Sequence, residues 1–233
     1  MGFIVAVDGP AGSGKGTITK IVAERLNLTT IDTGAMYRSV TLLMLEQNVK
    51  LEETEKILEI LKNIKIEFIE ENKQQKVFLN GKDVTLKIRS KEVNEFVSPV
   101  STIKEVREHL AKMQREMAKT IDVIMEGRDI GTNVFPNADV KVYLDATPEE
   151  RAKRRFRQNE ENGIKIPYEE ILKNVKERDY IDSHREIAPL TRAQDAFYVD
   201  STNMTPEEVV EEVLKIIEKN KAKKGKNKWK KNF

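Results

Sequence analysis

The sequence predicts an α/β fold in which a parallel sheet lies between layers of helices. Short apolar runs recur at residues 3–7, 28–31, 123–125, 140–144 and 197–199. Segments with the apolar spacing of amphipathic helices separate these runs, and strands that alternate with helices pair in parallel. A glycine-rich segment follows the first run, at a strand end where ligands of such sheets bind. We therefore expect a three-layer fold with its site at this edge.

The glycine-rich segment has the composition of a phosphate-binding loop. It contains, in order, Gly9, Pro10, Ala11, Gly12, Ser13, Gly14, Lys15, Gly16 and Thr17. The glycines let backbone N–H groups turn toward an oxyanion, and the following helix directs its positive end to the same place. Lys15 can reach the β- and γ-phosphates of a nucleotide, and a hydroxyl can reach Mg²⁺. Since Gly16 stands where Ser or Thr usually follows the lysine, Thr17 is the predicted metal ligand.

Composition and charge limit the other classes of function. The 41 basic residues nearly balance the 39 acidic ones, and a net charge of +2 argues against a protein built mainly to bind nucleic acid. The chain has no cysteine, and its two histidines, His109 and His184, are far apart in sequence, so no Cys- or His-based metal site is expected. No segment has the leader pattern or the ~18 apolar residues of a membrane span, so we expect a cytoplasmic protein.

The helices are predicted from apolar spacing and from capping residues. Thr147, Pro148 and Glu150 form a good helix N-terminus, and a similar Thr-Pro-Glu-Glu segment opens the last helix. The predicted helices cover residues 15–26, 32–45, 52–63, 102–120, 148–161, 168–186 and 205–219.

Two segments depart from the strand–helix alternation. Ile64, Ile66 and Phe68 alternate with polar residues, and Asn80-Gly81 is typical of a hairpin turn, so residues 63–88 are predicted to form a small antiparallel insertion. Residues 220–233 are rich in lysine without apolar periodicity, and we expect a basic, disordered tail after a single domain over residues 1–219.

Arginines are concentrated on the predicted helix pair near the C-terminus. Arg151, Arg154, Arg155 and Arg157 lie at the start of the first helix, and Arg178, Arg185 and Arg192 lie along and beyond the second. The alternative is a solvated basic face, but arginine's planar fork suits phosphate oxygens better than lysine does. Gly163 and Pro167 separate the helices, which suggests a movable helical lid over residues 148–167.

Several segments spread along the chain resemble one family. They are residues 8–17, 32–38 (Asp-Thr-Gly-Ala-Met-Tyr-Arg), 106–108, 126–136 (which contains Gly-Arg-Asp-Ile-Gly-Thr), 177–179 and 182–190. Together they resemble the bacterial-type cytidylate kinases of the nucleoside monophosphate kinase group, a P-loop fold. The antiparallel patch also resembles the enlarged nucleotide-binding subdomain of this bacterial type.

The resemblance implies an activity and a set of site residues. It implies that ATP, bound by residues 9–17 with Mg²⁺, phosphorylates CMP and dCMP in pyrimidine nucleotide metabolism. The implied catalytic residues are Lys15, Arg128, Arg154 and Arg155. For CMP, the resemblance implies that Arg38, Arg128 and Arg185 bind the phosphate, and that Ser98, Arg107 and Asp129 bind the cytosine. It implies that Arg178 and Asp182 bind the ribose, and Thr33 is a further implied CMP-binding residue. We expect a monomer that binds neither membranes nor specific nucleic acids.

The choice of base has a physical reason. Asp129 can accept a hydrogen bond from the N4 amine of cytosine, where uracil presents an acceptor. Two alternatives remain open: another small-molecule kinase of the same fold, such as a uridylate or shikimate kinase, and a non-enzymatic nucleotide switch. The guanine-reading Asn-Lys-x-Asp motif expected of a GTP switch does not occur in the sequence. The preference between CMP and dCMP is left open.

Overall fold

The computed structural model describes residues 2–71, 74–161 and 163–230, with the backbone alone for 222–230. Its strands are β1 (Ile4–Asp8), β2 (Thr29–Asp32), β3 (Ile66–Glu71), β4 (Gln74–Leu79), β5 (Lys82–Asp83), β6 (Val123–Gly127), β7 (Val140–Asp145) and β8 (Phe197–Asp200). Its helices are α1 (Lys15–Leu26), α2 (Thr33–Glu46), α3 (Thr54–Asn63), α4 (Lys91–Val100), α5 (Lys104–Met117), α6 (Pro148–Glu161), α7 (Tyr168–His184) and α8 (Pro206–Lys230). A 3₁₀ turn covers Lys87–Arg89, and a π-helical turn covers Ile130–Val134.

The chain divides into two compact units. The first lies within residues 1–30, 118–184 and 188–233. The described strands of the larger sheet have the order β2-β6-β1-β7-β8. Strand β1 pairs in parallel with β6 and β7, and β7 pairs in parallel with β8. Apolar residues of β1, α1 and α8, including Val5, Val22 and Ile217, form its core. The predicted parallel sheet flanked by helices is thus confirmed.

The second unit comprises residues 31–117 and 185–187. Strands β3, β4 and β5 form the predicted antiparallel sheet, with Ile66 opposite Leu79 and Phe68 opposite Val77. Asn80 and Gly81 make the turn between β4 and β5, and their φ angles of 49° and 78° are the left-handed values of a tight hairpin turn. The sheet is one part of a larger unit that also contains helices α2 to α5.

Helix α4 is absent from the sequence prediction. The Ser90 side chain accepts a hydrogen bond from the backbone of Val93 and caps this helix, and Val93 and Val97 are buried. These are ordinary helix signals. Pro99 interrupts the pattern, but it lies in the last turn, where it does not prevent the preceding turns from forming.

Several helix boundaries differ from the prediction, and the main differences are in α5, α7 and α8. Helix α5 is shorter than the predicted 102–120, and α7 ends at His184 rather than at residue 186. Helix α8 continues to Lys230, although the sequence was expected to be disordered after residue 219. The prediction relied on an apolar face, whereas lysine and alanine favour a helix without one. Residues 231–233 of the predicted tail lie outside the described residues.

Helices α6 and α7 form the pair expected as a lid. Helix α6 begins at Pro148, and the Thr147 hydroxyl accepts a hydrogen bond from the Glu150 backbone, as the capping signal predicts. Ala152 of α6 packs with Ile171 and Val175 of α7 in a small apolar cluster. The pair is therefore a packed element of the first unit, and its mobility stays a prediction.

Candidate active site

The phosphate-binding loop begins directly after β1. A Cβ atom placed on Gly9 would lie 2.0 Å from the backbone oxygen of Leu144 on the neighbouring strand, so only glycine fits there. The loop ends at Gly14, which immediately precedes helix α1. The observed helix, Lys15–Leu26, coincides with the predicted one. Backbone N–H groups at a helix start, together with the helix dipole, favour an anion here.

Lys15 lies buried beneath this loop. Its Nζ donates hydrogen bonds to the backbone oxygens of Gly9 at 2.8 Å and Pro10 at 2.7 Å, and it lies 3.3 Å from Ser13 Oγ. Burial lowers the pKa of Lys15 to about 7; the positive charge of Arg128 also lowers it, and nearby carboxylates act in the opposite direction. The lysine thus holds its ammonium in a low-dielectric site, where attraction to phosphate is strong.

The structure explains why Gly16 replaces the usual hydroxyl residue. A Cβ atom at Gly16 would lie 3.1 Å from Oε1 of Glu126, the residue next to the end of β6. This is a tight contact, so the glycine leaves room for the carboxylate. Thr17 follows in the first turn of α1 and is exposed. A threonine hydroxyl and a carboxylate are oxygen ligands of the kind that Mg²⁺ prefers beside phosphate oxygens. The sequence prediction did not assign a role to Glu126.

Arg128 and Asp129 directly follow strand β6 and lie in the same unit as the loop. Arg128 Nε donates to Oδ2 of Asp182 on α7 at 2.9 Å. Asp129 is buried, and its Oδ2 accepts a hydrogen bond from the side-chain amide of Asn133 at 2.9 Å. Three residues implied for CMP binding are therefore linked or adjacent within the first unit.

Asp8, the last residue of β1, also belongs to this site and was not assigned by the sequence prediction. It is buried, and its carboxylate accepts hydrogen bonds from the backbone N–H groups of Ile130 and Gly131 at 2.8 and 2.7 Å. Burial raises the pKa of Asp8 to about 6, although these two hydrogen bonds act in the opposite direction. The only sequence signal was its place directly before the glycine loop.

The arginines of helix α6 have different surroundings. Arg154 Nη1 lies 3.5 Å from the Ser13 backbone oxygen of the loop and 3.1 Å from Ser201 Oγ. Arg151 is buried, and its two terminal nitrogens pair with the two carboxylate oxygens of Asp179. Its Nη1 also donates to the backbone oxygen of Ala11 in the loop. Arg151 thus fastens the loop to the helix pair.

The other two implied arginines of the helix pair are Arg155 on α6 and Arg178 on α7. Arg155 is exposed and donates to Gln158 on its own helix, whereas Arg178 of α7 is half-buried. Their roles in catalysis and in ribose binding stay predictions.

The second unit holds the other residues implied for CMP binding. Arg107 of α5 is 2 % exposed; its Nη1 donates to the Ser101 backbone oxygen at 3.0 Å, and its guanidinium lies 5.6 Å from the ring centre of Tyr37. Ser98 of α4 is buried, and its backbone oxygen accepts from Ser101 Oγ at 2.8 Å. Helices α2, α4 and α5 thus bring a guanidinium, a hydroxyl residue and an aromatic ring together. Tyr37 was not assigned a role by sequence.

Three more implied residues lie in this unit. Arg38 Nη2 pairs with Oδ2 of Asp32 at 3.0 Å, so the guanidinium is held near the start of α2. Thr33 is buried at the first position of the same helix, and Arg185 is buried as well. Arg185 belongs to this unit because residues 185–187 group with residues 31–117.

The fold and the loop together define a P-loop phosphotransferase, in which a glycine loop and buried lysine lie at the carboxyl end of a parallel strand. The sequence profile of the family described as "Cytidylate kinase" matches residues 5–219. The chain therefore belongs to the cytidylate kinase family. Within the described residues, no helix is long and apolar enough to cross a membrane.

Individual relatives agree with this assignment. The chain is 50% identical to the cytidylate kinase of Fusobacterium nucleatum over 217 residues, which cover 93% of this chain and 98% of the relative. It is 51% identical to the cytidylate kinase of Caldicellulosiruptor saccharolyticus over 215 residues, 92% of this chain and 95% of the relative. A solved structure of an uncharacterized protein from Eubacterium ventriosum is similar with a TM-score of 0.50 at 12% identity, covering 93% of this chain and 98% of that chain, which indicates a shared fold alone.

Proposed function

We propose that this protein transfers the γ-phosphoryl group of ATP to the phosphate of CMP or dCMP, which yields ADP and the cytidine diphosphate. Family membership supports the reaction. The observation that carries the assignment of roles is the buried Lys15, which the loop holds at a helix N-terminus in the same unit as Arg128 and Asp129.

On the donor side, the loop holds the triphosphate of ATP. Lys15 supplies positive charge to the β- and γ-phosphates, and Arg154, which lies near Ser13, adds charge at the edge of the loop. Phosphoryl transfer needs in-line positioning and neutralisation of charge more than covalent participation by the protein. No nucleophilic side chain is therefore required, because the phosphate of CMP is itself the nucleophile.

The metal in this proposal is Mg²⁺. When bound, this ion would neutralise part of the negative charge of the phosphates. The Thr17 hydroxyl and the Glu126 carboxylate, which approaches Gly16, would supply oxygen ligands of the kind that this ion prefers.

On the acceptor side, arginines hold the phosphate of CMP and a mixed polar set reads the base. Arg38, Arg128 and Arg185 bind the phosphate, while Arg178 and Asp182 bind the ribose. Asp129 accepts from N4 of cytosine, and Arg107, with Ser98, donates to its acceptors. The buried state of Asp129 and Arg107 favours selectivity, because a mismatched base leaves a buried polar group unpaired.

We further propose a monomer that acts in the cytoplasm, because every residue assigned a role lies in one chain and both substrates are water-soluble nucleotides. Light scattering during size-exclusion chromatography tests the monomer directly.

The test of the reaction is an acceptor screen. Purified protein with ATP and Mg²⁺ is given CMP, dCMP, UMP, AMP, GMP or shikimate, and ADP and the phosphorylated product are both quantified. We expect CMP and dCMP to be the best acceptors, with ADP and product formed in equal amounts. A better rate with another acceptor would overturn the assignment, and slow ATP hydrolysis without any acceptor product would instead support a nucleotide switch.

A further inference from the structure

Asp8 makes an unusual connection between two functional segments of the first unit. One carboxylate oxygen accepts from the Ile130 N–H at 2.8 Å and the other from the Gly131 N–H at 2.7 Å. The aspartate is 5 % exposed. Both acceptor oxygens are therefore committed to the backbone immediately after Asp129.

The turn that Asp8 holds is the one that orients Asp129. Ile130 and Gly131 open the π-helical turn, and the N–H groups at the start of a helical turn have no partner within it. Asp8 supplies that partner. The other end of the turn is fastened by Asn133, whose side-chain amide donates to the Asp129 carboxylate. Asp129 is thus held through its backbone on one side and its side chain on the other.

Strand pairing makes this connection rigid. Asp8 ends β1 opposite Gly127 of β6, in a register in which Val7 faces Glu126. The carboxylate therefore extends from one strand end across to the turn that follows its neighbour. Burying a carboxylate costs free energy, which is reflected in the raised pKa of Asp8. The buried Asp8 carboxylate fixes the backbone directly after Asp129, the residue proposed to contact the base, and this role accounts for the cost of burying it.

We propose that Asp8 is a positioning residue for acceptor selection. By holding the Ile130 and Gly131 N–H groups, it fixes the direction of the Asp129 carboxylate that accepts from cytosine. This inference rests on the proposed function, because it assigns Asp8 to the discrimination of cytosine from uracil. The competing role is electrostatic: Asp8 attracts Lys15, so its charge could instead serve ATP binding.

The primary test is Asp8→Asn, which retains the size of the side chain. Its amide NH₂ group would face one of the two backbone N–H donors, so one hydrogen bond is lost and the turn is free to shift. We expect the CMP:UMP ratio of kcat/KM to fall about tenfold, because a shifted Asp129 carboxylate makes a poorer hydrogen bond to cytosine and selects less strongly against uracil. The KM for ATP should stay within about twofold of the wild-type value.

The matched control is Asp139→Asn. Asp139 Oδ2 accepts from the Ile4 N–H at 2.6 Å, so it makes the same type of bond at the opposite end of β1. We expect its CMP:UMP ratio to equal that of the wild type. The double variant D8N/D129N should show no loss of ratio beyond that of Asp129→Asn alone, since both substitutions act through one carboxylate.

Several outcomes would overturn the inference. An unchanged ratio in folded Asp8→Asn is one, and a raised KM for ATP with an unchanged ratio would assign Asp8 to Lys15 instead. If Asp8→Asn does not fold, Asp8→Glu retains the charge while displacing the turn, and an unchanged ratio there would count equally against the inference. A wild-type enzyme without preference for CMP would contradict the proposed function itself, so the two failures are distinguishable.

Discussion

The phosphate loop and the helical cluster around Arg107 are built in contrasting ways. The loop is one continuous segment, Gly9 to Gly14, whose backbone oxygens hold the lysine that follows it, and its ligand-binding groups are largely backbone N–H groups. The cluster takes residues from α2, α4 and α5, with Tyr37 far in sequence from Ser98 and Arg107. A backbone cradle recognises phosphate, which all nucleotides share, whereas arranged side chains can distinguish bases. Substitutions in the two regions should therefore change different kinetic constants.

The largest expected effect is at the loop lysine. Lys15→Ala removes the charge at the transferring phosphate, and we expect turnover to fall on the order of 10³-fold with CMP and UMP alike. Circular dichroism should show a folded protein. Lys20→Ala, an exposed lysine of the same helix, is the control and should retain wild-type turnover. Substantial activity in Lys15→Ala would contradict the role given to the loop.

The next effect is at the buried arginine of the cluster. Arg107→Lys keeps the charge but removes the planar fork and its position over Tyr37. We expect the KM for CMP to rise on the order of 10²-fold while the KM for ATP stays unchanged. Arg115→Lys, at an exposed position of the same helix, should leave both constants unaltered. A matching rise in the KM for ATP would remove the distinction between the two regions.

Asp129 tests base selection directly. Asp129→Asn replaces a pure acceptor with a group that can also donate. CMP should lose efficiency, and UMP, whose O4 can accept from the new amide, should lose less or gain. We expect the CMP:UMP ratio of kcat/KM to change about tenfold or more. Steady-state kinetics with both acceptors at saturating ATP measure it, and an unchanged ratio would mean that Asp129 does not contact the base.

A smaller expected effect is a change in the protonation of Lys15, which lies beneath the loop. Burial lowers the pKa of Lys15 to about 7, so the free enzyme loses this charge as pH rises through 7. Bound phosphates favour the charged form, and ATP binding at pH 8 should take up as much as about one proton. Calorimetric titrations in buffers of different ionisation enthalpy measure this uptake. Lys15→Ala should abolish it; an equal uptake in that variant would assign the proton elsewhere.

The smallest expected effect is at the C-terminus. Truncation after Lys219 should leave turnover within about twofold of the wild-type value, because the removed segment carries no residue assigned to the site. Helix α8 extends to Lys230 and Lys221 Nζ lies 4.9 Å from the ring centre of Phe3, so we expect a modest fall in melting temperature. A large fall in turnover by folded, truncated protein would show that this segment serves catalysis.

The same contrast explains what the sequence could predict. The bounds of α1, the capping of α6 and the Asn80-Gly81 turn were predicted well, because each depends on neighbouring residues. Helix α4 was not predicted, since Pro99 interrupts an otherwise regular pattern. The extent of α8 was underestimated because the apolar face was given more weight than helix propensity.

Residues that act through distant contacts escaped prediction. Glu126 matters because its Oε1 lies 3.1 Å from the position a Cβ at Gly16 would take, and Asp8 matters because it binds the backbone of Ile130 and Gly131. Neither relation has a signal in spacing. The arginine run likewise could not show that Arg151 pairs with Asp179 and also donates to the loop oxygen of Ala11, or that Arg154 Nη1 lies 3.1 Å from Ser201 Oγ. Charge composition predicts a basic helix but not the partner of each side chain.

The most direct test of the account is the CMP:UMP ratio of kcat/KM in Lys15→Ala beside that in Arg107→Lys. The account predicts that Lys15→Ala retains the wild-type ratio despite its large loss of turnover, and that Arg107→Lys lowers the ratio at least about tenfold while its turnover at saturating CMP changes little. A changed ratio in Lys15→Ala, or an unchanged ratio in Arg107→Lys, would contradict the claim that the loop handles phosphate while the helical cluster selects the base.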